Sequence, residues 1–265
     1  DPPGDLAVPL ARQRRRLGQL LGSLDDDQWA APSRCEGWTV RDVIAHLVGT
    51  DRFWTASATA GLAGTPSRYL PGFDPVATPA AMVDGTRAQP WPDVLVDYQH
   101  ASEALIGTVT ALVPDQWEMA AEGPVGHLAV HGIIRHALWD AWIHERDVTV
   151  PLDLDQEQHP DELVACLEYA ACLGPALQAL GGSGRAGTLA VVATDPDVDL
   201  VVELGDSVVL SHRPAPPGVP VLRGRAIDLI EGLSLRTPLA HGLADDDLWL
   251  ISGLAVAFDQ APPPA

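Results

Sequence analysis

Residues 128 to 148 carry apolar side chains around most of a helical circumference. Ile133, Ala137, Ala141 and Val148 combine there with Trp139, Trp142 and Ile143. A helix with no solvent face belongs inside a bundle. On this one stand Asp140 and His144, four residues apart and therefore on the same side. His46, on a second helix brought alongside, would make three potential metal ligands with no fourth. That is the ligand count of a catalytic zinc site with one position open. Two histidines and a carboxylate also suit ferrous iron or manganese.

Other residues near these positions have competing roles. His136 lies one turn before Asp140 and extends the stripe, as a fourth ligand that would close the site, as a supporting or pocket residue, or in a plain structural role. Asp42, one turn before His46, either caps its helix or orients the imidazole. Asp147 ends the last helix of this half or pairs with an arginine, in preference to binding metal. Cys35 sits in the loop before the His46 helix with no base beside it in sequence, and reads as structural. Trp38, Trp139 and Trp142 are core residues or pocket walls. Arg52, Arg146, Arg223 and Arg236 are candidate anion clamps, with Arg223 and Arg236 carried forward as cofactor-binding candidates.

Helical periodicity fills the first half of the chain. Leu10, Leu17, Leu20, Leu21 and Leu24 share one face, with arginines on the other. Thr39 followed by Asp42 is a capping box that starts a helix through His46 toward Ala60. Residues 29–37 read as a loop, and 61–92, rich in Gly, Pro, Thr and Asp, as a long excursion. A further helix is expected over 93–113, and Gly123, Pro124 and Gly126 read as a linker. The acidic, turn-rich stretch 151–160 marks a boundary, which divides the chain into a four-helix bundle at 1–152 and a second domain at 153–265.

The pattern then changes. Residues 161–180 are helical, but 188–194, 198–204 and 207–211 are short β-branched runs split by Asp195-Pro196-Asp197 and Gly205-Asp206. They predict an antiparallel meander, and helical spacing returns over 225–236. The expected class is therefore α followed by α+β, with a proline-rich unstructured tail at 261–265.

A formal net charge of −20, with every basic residue an arginine, argues against nucleic-acid or anionic-membrane partners. Three cysteines without close spacing point to neither a disulfide framework nor a zinc ribbon, and fit a cytoplasmic setting. Residues 1–5 carry no basic leader, and no run approaches the roughly 18 apolar residues of a membrane span.

The segments Cys35-Glu36-Gly37-Trp38-Thr39-Val40-Arg41-Asp42-Val43-Ile44-Ala45-His46-Leu47 and Asp140-Ala141-Trp142-Ile143-His144-Glu145-Arg146-Asp147-Val148 resemble the mycothiol-dependent maleylpyruvate isomerase family, part of the DinB-like metalloenzyme superfamily. The stretch Leu222-Arg223-Gly224-Arg225-Ala226-Ile227-Asp228-Leu229 resembles that family's small α+β C-terminal domain. The resemblance implies a DinB-like four-helix bundle holding zinc, or another divalent metal, through His46, Asp140 and His144. It also implies mycothiol, the low-molecular-weight thiol of actinobacteria, as cosubstrate, and a small-molecule electrophile as its target. The family generally carries Glu where this chain has Asp140. Aspartate is one methylene shorter, so either its helix sits closer to the metal or it reaches the metal through water.

The implied chemistry is thiolate attack, ending in cis-trans isomerisation or in S-transfer. Two other readings stand beside it: a thiol-independent metalloenzyme acting as a lyase, hydrolase or cyclase, and a non-catalytic binding protein on the same scaffold. Either a monomer or a homodimer is compatible with the sequence.

Overall fold

The computed structural model of the chain describes residues 6–124, 126–180 and 184–252. The proline-rich tail at 261–265 lies outside the described residues. Two compact units divide the chain, the first ending at Glu157 and the second beginning at Gln158.

The first unit is helical, built on α1 (Ala7–Leu21), α3 (Val40–Leu62), α5 (Trp91–Thr110) and α6 (Val130–Thr149), with short α2 (Asp26–Ala30) and α4 (Ala77–Asp84) between them. The capping box at the start of α3 forms as its sequence predicts. Thr39 Oγ1 accepts from the Asp42 amide, and the Asp42 carboxylate accepts from the Thr39 amide at 3.1 Å. Pro92 lies in the first turn of α5, where a helical N–H would have no partner. Leu17, Leu21, Trp29, Val43, Ile44, Leu47, Val94, Tyr98, Ala141 and Val148 pack together as the core between these helices. Each large apolar side chain removed from water there contributes about 1.5–3 kcal/mol.

Three local readings change. The expected loop at 29–37 begins inside α2, whose capping box pairs Asp25 with Gln28. The excursion at 61–92 contains α4. The glycine-flanked linker is the turn of a hairpin, β1 (Ala120–Gly123) against β2 (Gly126–Ala129). Strands of four residues are too short for alternation to separate them from a loop.

The second unit opens with α7 (Pro160–Leu180) and continues with the meander β3 (Gly187–Thr194), β4 (Val198–Leu204) and β5 (Val208–His212). Val191 faces Leu200, and Val202 faces Leu210, in antiparallel register. A further strand, β6 (Val221–Arg225), pairs parallel with β3, so the sheet order is β5-β4-β3-β6. The helix expected over 225–236 is shorter, α8 (Ala226–Leu233): Arg225 belongs to β6, and the chain leaves the helix before Leu235, whose φ is 53°. The short α9 (Trp249–Ser252) closes the described part of the unit. No helix among the described residues is long and apolar enough to cross a membrane.

Candidate metal centre

His46 lies two turns into α3, which Thr39 and Asp42 start at a defined residue. Asp140 and His144 occupy successive turns of α6. Packing of α3 on α6 brings the three together. His46 Nε2 is 3.6 Å from Asp140 Oδ2, and His144 Nε2 is 3.5 Å from Asp140 Oδ1. One ligand atom from each residue lies within 4.8 Å of the others. The imidazoles meet edge to face, with ring centroids 4.8 Å apart.

This donor set fits a divalent cation. Tetrahedral zinc with ligand distances of about 2.0–2.2 Å separates its ligand atoms by roughly 3.4 Å. The two His–Asp spacings are close to that value, each measured to a different oxygen of the Asp140 carboxylate. Both spacings exceed hydrogen-bond reach, and the buried Asp140 Oδ2 has no hydrogen-bond partner among the described residues. A buried carboxylate oxygen without a donor is costly unless a charge compensates it. Burial raises the Asp140 pKa, but the adjacent His46 and the charges of His144 and His136 outweigh it and hold the carboxyl well below the usual range.

His144 is supported from behind. Its Nδ1 lies 3.0 Å from Asp147 Oδ2, and Arg34 Nε donates to Asp147 Oδ1 at 3.0 Å. A carboxylate on one ring nitrogen fixes the tautomer and presents the other nitrogen as a ligand. Cys35 Sγ is 3.2 Å from Asp147 Oδ2 and 3.6 Å from His144 Nδ1. Burial lowers the His144 pKa, but Cys35, Asp147 and Asp140 raise it to about 10. Cys35, His144 and Asp147 form a second group with ligand-like spacing that shares His144 with the first. Cys35 and His144 are 109 residues apart, and no local signal joins them.

The remaining candidates have other partners. Asp42 receives hydrogen bonds from Thr39 and Arg41 and an ion pair from Arg87, so it caps α3 and holds arginines. Asp147 does pair with an arginine, Arg34, and also supports His144. His136 belongs to neither ligand group. Its ring packs between Trp54 and Trp139, at centroid distances of 4.7 and 5.6 Å, and burial lowers its pKa to about 4. The Trp38 ring lies 5.4 Å from that of His46, as a wall of the cluster. Arg52 pairs with Asp97, and Arg146 lies over the Trp142 ring. Arg223 is exposed on β6, and Arg236 donates to the Ser234 carbonyl after α8.

Fold and cluster together define a helical-bundle protein with a candidate two-histidine, one-carboxylate site, followed by a small α+β unit. Residues 10–149 match the family described as the mycothiol maleylpyruvate isomerase N-terminal domain, and the chain belongs to that family. Two uncharacterized proteins from strains of Mycobacterium tuberculosis are each 30% identical to it over 155 residues, 55% of this chain and 56% of theirs. The chain thus spans about half the length of these relatives. Crystal structures of the mycothiol-dependent maleylpyruvate isomerase and of a histidine-to-alanine mutant of it superpose with a TM-score of 0.63 at 13% identity. They cover 89% of this chain and 90% of theirs, a likeness of fold.

Proposed function

We propose that this protein is a metal-dependent enzyme that uses a low-molecular-weight thiol, mycothiol, against a small electrophile, with maleylpyruvate-type cis-trans isomerisation as its reaction. The observation that carries this reading is the convergence of His46, Asp140 and His144, with Asp140 Oδ2 buried and without a hydrogen bond, within the segment that matches the family. A divalent cation held there would offer an open position at which a thiol's pKa falls below its free value of about 8.5.

The chain's own residues account for the rest. Asp147 fixes the His144 ring so that Nε2 faces Asp140. Arg34 balances the Asp147 charge. The Trp38 ring packs against the His46 ring at 5.4 Å. S-transfer would use the same site and differs only in whether the thiol adduct is released as product.

Elemental analysis of wild type beside His46→Ala, Asp140→Ala and His144→Ala tests the site. About one zinc per chain, lost in all three folded variants, is expected. Metal-free wild type after reconstitution would favour a binding protein on the same fold. With metal present, turnover of a cis-conjugated keto acid should require mycothiol. An isomer as product indicates the isomerase, and an accumulating thioether indicates the transferase. Turnover indifferent to the thiol would favour a lyase, hydrolase or cyclase.

A further inference from the structure

A buried polar network that the proposed chemistry does not use runs along α1. Arg14 is 2% exposed. Its guanidinium reaches Asp51 on α3 through two hydrogen bonds, Nε to Oδ2 at 3.2 Å and Nη2 to Oδ1 at 2.8 Å. Nη2 also donates to the Ala137 carbonyl of α6 at 2.9 Å, and Nη1 to Gln13 Oε1 at 2.8 Å. Gln13 Nε2 in turn donates to the Ala141 carbonyl at 3.2 Å and to Glu145 Oε2 at 3.1 Å. Arg16 closes the row on Glu145 at 2.8 and 2.7 Å. Ser102 on α5 donates to Asp51 Oδ2 at 2.9 Å.

The positions gripped are specific. Ala137, Ala141 and Glu145 form the stripe of α6 beside the one that carries Asp140 and His144, and Asp51 lies five residues after His46 on α3. One side chain of α1 therefore ties together both helices that supply the ligands. Apolar packing alone tolerates small rotations and slides of one helix on another, whereas coordination requires ligands held to within about 0.5 Å. A fork with five donors in fixed geometry removes that freedom.

We infer that Arg14 is a positioning residue for the metal centre: together with Gln13 and Asp51 it sets the span between His46 on α3 and the Asp140–His144 pair on α6. The inference rests on the metal reading above. A purely structural ion pair of this kind can be exchanged for apolar residues of similar volume with little loss of stability, whereas removing one partner strands a buried charge.

The test is therefore the double variant Arg14→Met/Asp51→Leu, with zinc affinity measured by chelator competition and coordination geometry read from the absorption spectrum of the cobalt(II)-loaded protein. Circular dichroism confirms that the variant is folded. Zinc binding weakened by about tenfold or more, with an altered cobalt spectrum, is expected. Arg15→Ala, which removes an exposed pair with Glu103, serves as the control and should bind as wild type does. A folded double variant with wild-type affinity and spectrum overturns the inference. Should the double variant not fold, Gln13→Met, which leaves the Arg14–Asp51 pair intact, decides the matter. Weaker zinc binding in it supports the inference, and unchanged binding overturns it. Absence of zinc from wild type would be a separate failure, that of the metal reading itself.

Discussion

His144 and Asp147 are joined at 3.0 Å, Nδ1 to Oδ2, one turn apart on α6, with Arg34 on the carboxylate's other oxygen. The arrangement commits one face of the imidazole to the protein and turns the other toward Asp140 and His46. Replacing Asp147 with Asn keeps the shape and removes the charge. Zinc affinity should fall about 10–100-fold, the usual effect of losing a carboxylate behind a ligating histidine. Chelator competition measures it, and affinity equal to wild type would mean that Asp147 has no part in metal binding.

Cys35 belongs to the other ligand-spaced group, which would need His144 Nδ1. Because that nitrogen is committed to Asp147, Cys35→Ala should keep the wild-type metal content. Loss of metal in this variant, by elemental analysis, would move the site to Cys35, His144 and Asp147.

Thr39 starts the helix that carries His46. Thr39→Ala removes the acceptor for the Asp42 amide and should cost about 1 kcal/mol. That is a drop of a few degrees in thermal midpoint for a domain of this size. Calorimetry showing no change would assign the start of α3 to packing alone.

Glu122 on β1 holds the loop after α3. Its carboxylate accepts from Ser67 Oγ at 2.7 Å and from the Tyr69 and Leu70 amides at 2.7 and 2.8 Å. Burial opposes the charge, but these donors outweigh it and lower the pKa from the usual 4.5. A depressed carboxylate contributes stability that is fully present above its unfolded value near 4.5 and is lost as pH falls through the folded one. Stability should therefore decline on acidification below that point, and the decline should be shallower in Glu122→Gln. At neutral pH the same variant should be cleaved faster by trypsin at the exposed Arg68 in this loop. Cleavage at the wild-type rate would count against Glu122 as the anchor.

Much of this architecture was legible in order along the chain. Leucine spacing in α1, the Thr39–Asp42 box of α3, the apolar girth of α6 and the β-branched runs of β3 to β5 are all encoded between near neighbours. Period and capping depend only on residues within a turn or two. The i, i+4 relation of Asp140 to His144 is local in the same sense; His46 joins them as a candidate from a second helix, and the resemblance to a known family implies the three as one ligand set.

What the tertiary structure decided joins residues far apart in sequence. Cys35 meets His144, Arg34 meets Asp147, Arg14 meets Asp51 and Ala137, and β6 lies parallel to β3. None of these leaves a periodic trace, because each partner is chosen by how whole helices and strands pack. By itself, the sequence determined where the long helices lie, which of their faces are apolar and where α3 begins. Only packing determined that a loop cysteine and an aspartate near the end of α6 would meet His144, and that a helix from the far end of the unit would grip both α3 and α6. A helix's face is set by its own side chains, whereas its neighbour is set by the shape and polarity of the rest of the bundle.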